Sequence, residues 1–197
     1  PEWETQPICP HNCPPFRVYH TNETGNWEIF RLDGANEDTE TTEFQNITVR
    51  DEFDDISPSR SPDGRWLIYT SNRDGNWEIY VSPTNNADEE SAQRVTFNTT
   101  AIDTDPIWGP TNFVVFESSR DGDWELYVVD MRTGDQFRLT DSPGADVNPF
   151  WSDDGSEIVF QSLRDGLWQI YKIDLNTLEL TPLSDGTTND VDPQYSF

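Results

Sequence analysis

The sequence predicts an all-β protein, a four-bladed β-propeller of four-stranded antiparallel blades closed by strands from both termini. Three observations carry this. One stretch is written four times, as TNETGNWEIFR at 21–31, SNRDGNWEIYV at 71–81, SSRDGDWELYV at 118–128 and SLRDGLWQIYK at 162–172. Its tryptophans, Trp27, Trp77, Trp124 and Trp168, stand 50, 47 and 44 residues apart, the length of one four-stranded blade. Finally, 14 Pro and 11 Gly punctuate the chain at short intervals, and no stretch shows the spacing of an amphipathic helix.

Each unit is expected to hold four strands. In the second, ISPSRSPDG at 56–64 reads as a short inner strand ending in a tight turn. RWLIYTS at 65–71 follows, then an Asp-Gly hairpin, WEIYVS at 77–82, a variable loop, and AQRVTF at 92–97 as the outer strand. The third and fourth units read the same way. Their middle strands are apolar on both faces, which a strand sandwiched between neighbouring blades requires. With 13% aromatic residues, including eight Trp, the core relies on large flat side chains.

The formal charge is −26, from 38 acids against 12 bases. A field of that sign repels nucleic acid and anionic membranes and favours cations. No apolar run approaches the roughly 18 residues of a membrane span. The first fifteen residues, PEWETQPICPHNCPP, belong to no blade and form a separate proline-rich arm, with 16–197 as the propeller. Cys9 and Cys13 are expected to close a small disulfide loop, which implies an oxidising compartment and an extracellular or cell-surface location. Trp3 is the arm's one large apolar anchor, expected to dock on the propeller or on the next molecule.

SPDGRWLIYTSNRDGNWEIYV and LTDSPGADVNPFWSDDGSEIVFQS resemble the TolB-type propeller repeat, a relative of the WD repeat. The resemblance runs over about 16–197 and implies a β-propeller with binding or scaffolding roles, such propellers also being appended to serine peptidases. The first unit departs from the pattern, with TNETGNW in place of the arginine turn and no P-x-W-S strand before it. The chain ends DVDPQYSF, an inner strand with no blade after it, so the two half-blades complete each other. The alternative is a fragment of a larger propeller.

No nucleophile elbow is present, and His11 and His20 are the only imidazoles, His20 within an expected strand. The reading is therefore non-catalytic. Before each inner strand stands an Asp, one residue, a polar residue and Pro: Asp55, Asp103, Asp146 and Asp190 begin these four segments. They are expected either to cap loop backbone N–H groups or to line one end of the channel as oxygen ligands for Ca²⁺. Arg73, Arg120 and Arg164 are expected to pair with the acidic surface and join blades, and the repeated tryptophans to pack between blades. Two functions follow: a module for protein contact or self-assembly into an oligomer or filament, and a carbohydrate-binding propeller.

Overall fold

The computed structural model describes residues 16–33, 43–49, 52–85 and 91–193, and the arm with Trp3, Cys9 and Cys13 lies outside them. The described residues form fifteen strands and no helix. They are β1 (Phe16–Thr21), β2 (Glu28–Asp33), β3 (Glu43–Asn46), β4 (Asp55–Arg60), β5 (Trp66–Ser71), β6 (Glu78–Pro83), β7 (Gln93–Arg94) and β8 (Asp103–Trp108). After these come β9 (Phe113–Ser118), β10 (Glu125–Asp130), β11 (Gln136–Arg138), β12 (Asp146–Trp151), β13 (Glu157–Ser162), β14 (Gln169–Asp174) and β15 (Leu180–Pro182). Three sheets have four strands in chain order, β4–β7, β8–β11 and β12–β15, and the first has three, β1–β3. All the pairings given are antiparallel.

The strands expected before residue 190 are present, with two differences; the expected closing strand is not seen at Asp190–Pro193, and 194–197 lie outside the described residues. The outer strands are shorter than predicted, only Gln93–Arg94 where six residues read as strand. The inner strands carry a defect: pairing shifts between Ile56 and Ser59, and again between Val147 and Phe150. The residue before the proline causes it. Ser57, Asp105, Asn148 and Asp192 all have positive φ, between 49° and 56°, a region that residues other than Gly enter only when their surroundings hold them there.

Two compact units divide the chain, 1–100 with 104–106, and 101–103 with 107–197. In the first, Ile29, Ile47, Leu67, Tyr69 and Tyr80 form a buried cluster with Val18 packed against it. In the second, the cluster joins Val115, Leu126 and Val128 to Trp151, Ile158, Phe160, Tyr171 and Ile173. Trp151 lies flat on Gly109: a Cβ there would stand 2.8 Å from the indole, and the indole N–H donates to Ile107 O at 3.0 Å. Only glycine fits beneath that ring.

A polar layer runs through these cores at one register. Glu28, Glu78 and Glu125, each following a repeated tryptophan, are buried. Thr48, Thr96 and Thr140 donate their hydroxyls to them at 2.7, 2.5 and 2.5 Å, and the same threonine oxygens accept the N–H of Ile29, Ile79 and Leu126. In the fourth copy Gln169 replaces the acid and accepts from Ser184 and from the Gly186 N–H. Burial raises the Glu125 pKa above the ordinary value, against the opposing hydrogen bonds from Thr140, Ser142 and Arg138. A carboxyl whose folded pKa is raised stabilises fully below its unfolded pKa and loses that contribution as pH rises through the folded one. The Glu125→Gln variant should therefore gain stability relative to wild type between pH 4 and pH 7, read from urea midpoints at the two values. A difference that shrinks with pH would contradict this assignment.

Candidate functional site

The hairpins between the second and third strands of three sheets build the same charged cassette. In each, a glycine with φ of 99°, 108° or 84° (Gly75, Gly122, Gly166) closes a turn that directs the preceding arginine back across its own sheet. Arg73 Nη2 meets Asp55 at 3.0 Å, Arg120 Nη2 meets Asp103 at 2.8 Å, and Arg164 Nη2 meets Asp146 at 3.0 Å. The guanidinium Nε donates to Ser71, Ser118 or Ser162 at 2.8–2.9 Å. Its plane covers Tyr80, Tyr127 or Tyr171, with the guanidinium carbon 4.3–4.4 Å from the ring centre. Those tyrosines donate their hydroxyls to Asp74, Asp121 and Asp165. Arg73 Nη2 also donates to the Tyr69 hydroxyl at 3.0 Å, and burial pushes that phenol up to about 12, although the nearby Arg73 pulls the other way.

The three aspartates that share an arginine have fully buried side chains. Each is paired with the arginine of its own sheet, and Asp103 also accepts from Ser118 Oγ at 2.5 Å. The arginines thus tie an inner strand to its adjacent hairpin, where the sequence suggested a link between blades. Asp190, the fourth expected ion ligand, is half-buried, and its Oδ1 accepts from Thr188 Oγ at 3.4 Å. Among the described residues no group of three or more His, Cys, Asp or Glu is placed to hold a metal ion.

What joins one sheet to the next is main chain. Asp55 N–H donates to Trp27 O, Asp146 N–H to Trp124 O and Asp190 N–H to Trp168 O, each at 2.8 Å. Asp54 and Asn189 return a bond by accepting the N–H of Trp27 and Trp168. Trp27 leaves 39% of its surface in water, so its carbonyl, more than its indole, makes the junction. Two residues on, the strained backbone is held from the preceding sheet. Ser57 N–H donates to His20 Nδ1 at 3.0 Å, Asn148 N–H to Glu117 at 2.7 Å and Asp192 N–H to Gln161 at 3.0 Å. His20 is thereby a structural acceptor. His20 was expected to be structural, but Glu117, Gln161, the buried glutamates and the clasp were missed by sequence reasoning, although Glu after three of the four Trp and a Thr 15–20 residues later recur visibly.

Removing one member of a buried ion pair strands the other, at a cost of about 3–5 kcal/mol, whereas an exposed pair contributes about 1 kcal/mol or less. Arg164→Met should therefore destabilise strongly and Arg132→Met, at a half-exposed pair with Asp130, hardly at all. Adding Asp146→Leu to Arg164→Met should recover most of the loss. Chemical denaturation of the four proteins checks the order.

Residues 100–197 match the TolB beta propeller domain family. No curated protein matches the chain. Among solved structures it is similar to TolB from Acinetobacter baumannii, at 25% identity and TM-score 0.68, over 88% of this chain and 42% of that one. A putative TolB from Agrobacterium tumefaciens gives 20% identity and TM-score 0.69, over 90% of this chain and 65% of that one. A puromycin hydrolase shares the fold at 12% identity and TM-score 0.71, over 87% of this chain and 28% of that one. The chain thus spans less than two thirds of the length of each of these. The match to the TolB beta propeller domain thus covers the second half of the chain, residues 100–197, and the fold is similar to that of TolB proteins.

Proposed function

We propose that this chain is a non-catalytic, extracellular or cell-surface propeller module whose role is protein contact, including contact with further copies of itself. One observation carries the reading: the groups with chemical potential are consumed inside the repeats, while large apolar side chains stand exposed on or beside the outer strands. Phe44, Phe97, Phe137 and Leu180 are 64%, 71%, 57% and 36% exposed. His20, the buried aspartates and the buried glutamates each serve the backbone or an arginine. No helix among the described residues is long and apolar enough to cross a membrane. The acidic charge makes such contacts salt-dependent. Sedimentation at high salt should show particles larger than the 22.7 kDa chain. Phe44→Lys with Phe137→Lys should return them to single chains without lowering the melting temperature. A wild-type protein that stays monomeric at every salt concentration sinks self-assembly.

The same proposal includes a closed ring of four blades. The first sheet has three strands where the others have four, and Asp190–Pro193 already has the clasp and the positive φ of an inner strand. The proposed closure pairs 193–196 with the strand at 16–21. Deleting 190–197 should lower the unfolding midpoint and its cooperativity. An unchanged midpoint and slope would leave the reading of a piece of a larger propeller.

A further inference from the structure

The inner strand β4 ends differently from the two that follow it. Arg60 stands opposite Leu67 as Trp151 stands opposite Ile158, and Trp108 ends the strand between them. Both tryptophans satisfy their indole N–H on main chain, at Ile107 O (3.0 Å) and Thr111 O (3.2 Å). Arg60 instead places its guanidinium carbon 4.3 Å from the centre of the Phe16 ring, which belongs to the first sheet. Its Nη1 is buried and makes no hydrogen bond among the described residues. A charged donor stranded in this way is costly and calls for an acceptor.

A second cation shares the ring. Arg31 holds its guanidinium carbon 4.1 Å from the centre of Phe16, and all three residues belong to the first compact unit. Burial lowers the Arg60 pKa, and the charge of Arg31 lowers it further. The fourth sheet shows what the same register holds elsewhere. There Lys172 stands in the place of Arg31 and Glu157 in that of Phe16, and the two pair at 2.7 Å. In the first sheet a phenyl group replaces that carboxylate, and the next inner strand adds a second positive charge. We propose that Arg60, with Arg31 beside it, is a receptor for one carboxylate of an acidic peptide. The planar guanidinium fork matches the two oxygens of a carboxylate. Arg60 as a whole is only half-buried, so a small turn of the guanidinium brings Nη1 to a guest. The proposal names the partner's chemistry and rests on the protein-contact reading, though not on self-assembly.

The test titrates the full chain, isotope-labelled, with a capped peptide carrying one Glu, with its Gln counterpart, and with acetate, all at equal ionic strength. The amide resonances of Val18 and Leu67, opposite Arg31 and Arg60, report binding. Wild type should bind the Glu peptide with Kd on the order of 1 mM, and the Gln peptide about tenfold more weakly. Arg60→Trp and Arg31→Val write the residues of other sheets (Trp108 and Trp151, Val81 and Val128) into place, so both should fold. Arg60→Trp should lose the preference for Glu over Gln, and Arg31→Val should reduce it. Equal binding of the two peptides by wild type, or an unchanged preference in either variant, overturns the site. Acetate binding as tightly as the Glu peptide overturns the peptide as guest. Phe44→Lys with Phe137→Lys should leave the preference intact. A preference lost in that variant moves the peptide to the outer strands, so this site falls and the contact reading stands. A wild type that stays monomeric at every salt concentration yet prefers the Glu peptide keeps the site and loses only self-assembly.

Discussion

The structure depends on a main-chain clasp between successive sheets. At each of the three junctions described, the N–H that opens the next inner strand is donated to a tryptophan carbonyl at 2.8 Å. Backbone bonds between buried segments are exacting in position, because side chains alternate faces and a slip of one residue would invert every contact that follows. With Asp146 N–H fixed on Trp124, its carboxylate comes under Arg164, and Asn148 is delivered to Glu117. The positive φ at Asn148 is the strain this geometry imposes, and the hydrogen bond from its own N–H is what holds it.

A chain with net charge −26 nevertheless buries its scarce arginines. Buried ion pairs are poor sources of net stability, since desolvation offsets much of the attraction. Their use here is selective: a guanidinium bonded to Asp and Ser, and stacked on Tyr, accepts only one hairpin geometry. Arg94 and Arg138 serve a second layer, meeting both the buried Glu78 or Glu125 and the hairpin acids Asp74 or Asp121. The uncompensated acids therefore lie elsewhere, and salt acts mainly on them.

The number of units and the order of strands within each were legible in the sequence, because hairpin turns and apolar strands leave local marks. Trp77 to Tyr80 reads as a strand from alternation alone. Partner choice was not legible. Asp55 sits in a loop-like Asp-x-Ser-Pro string, so capping and ion binding looked equally natural, and only the fold shows Arg73 arriving from 18 residues away. Glu78 carries no local mark of its burial, since carboxylates are seldom fully buried. Its burial follows from Thr96 and Arg94, which alternation cannot reveal. The short outer strands were missed because Val95 and Phe97 have strand propensity, while Thr96 turns its hydroxyl to the Ile79 N–H in place of continuing the ladder.

Those outer strands set the terms on which another molecule can approach. β7 has two residues, β11 and β15 three each, and β3 four, so the sheet margins offer too few consecutive main-chain groups to template an added strand. A neighbour must recognise the phenyl and leucyl groups standing on those margins, not the peptide backbone. Crowding such a chain on itself thus favours contacts that select shape and come apart again, over the sequence-blind zippering that turns exposed sheets into amyloid.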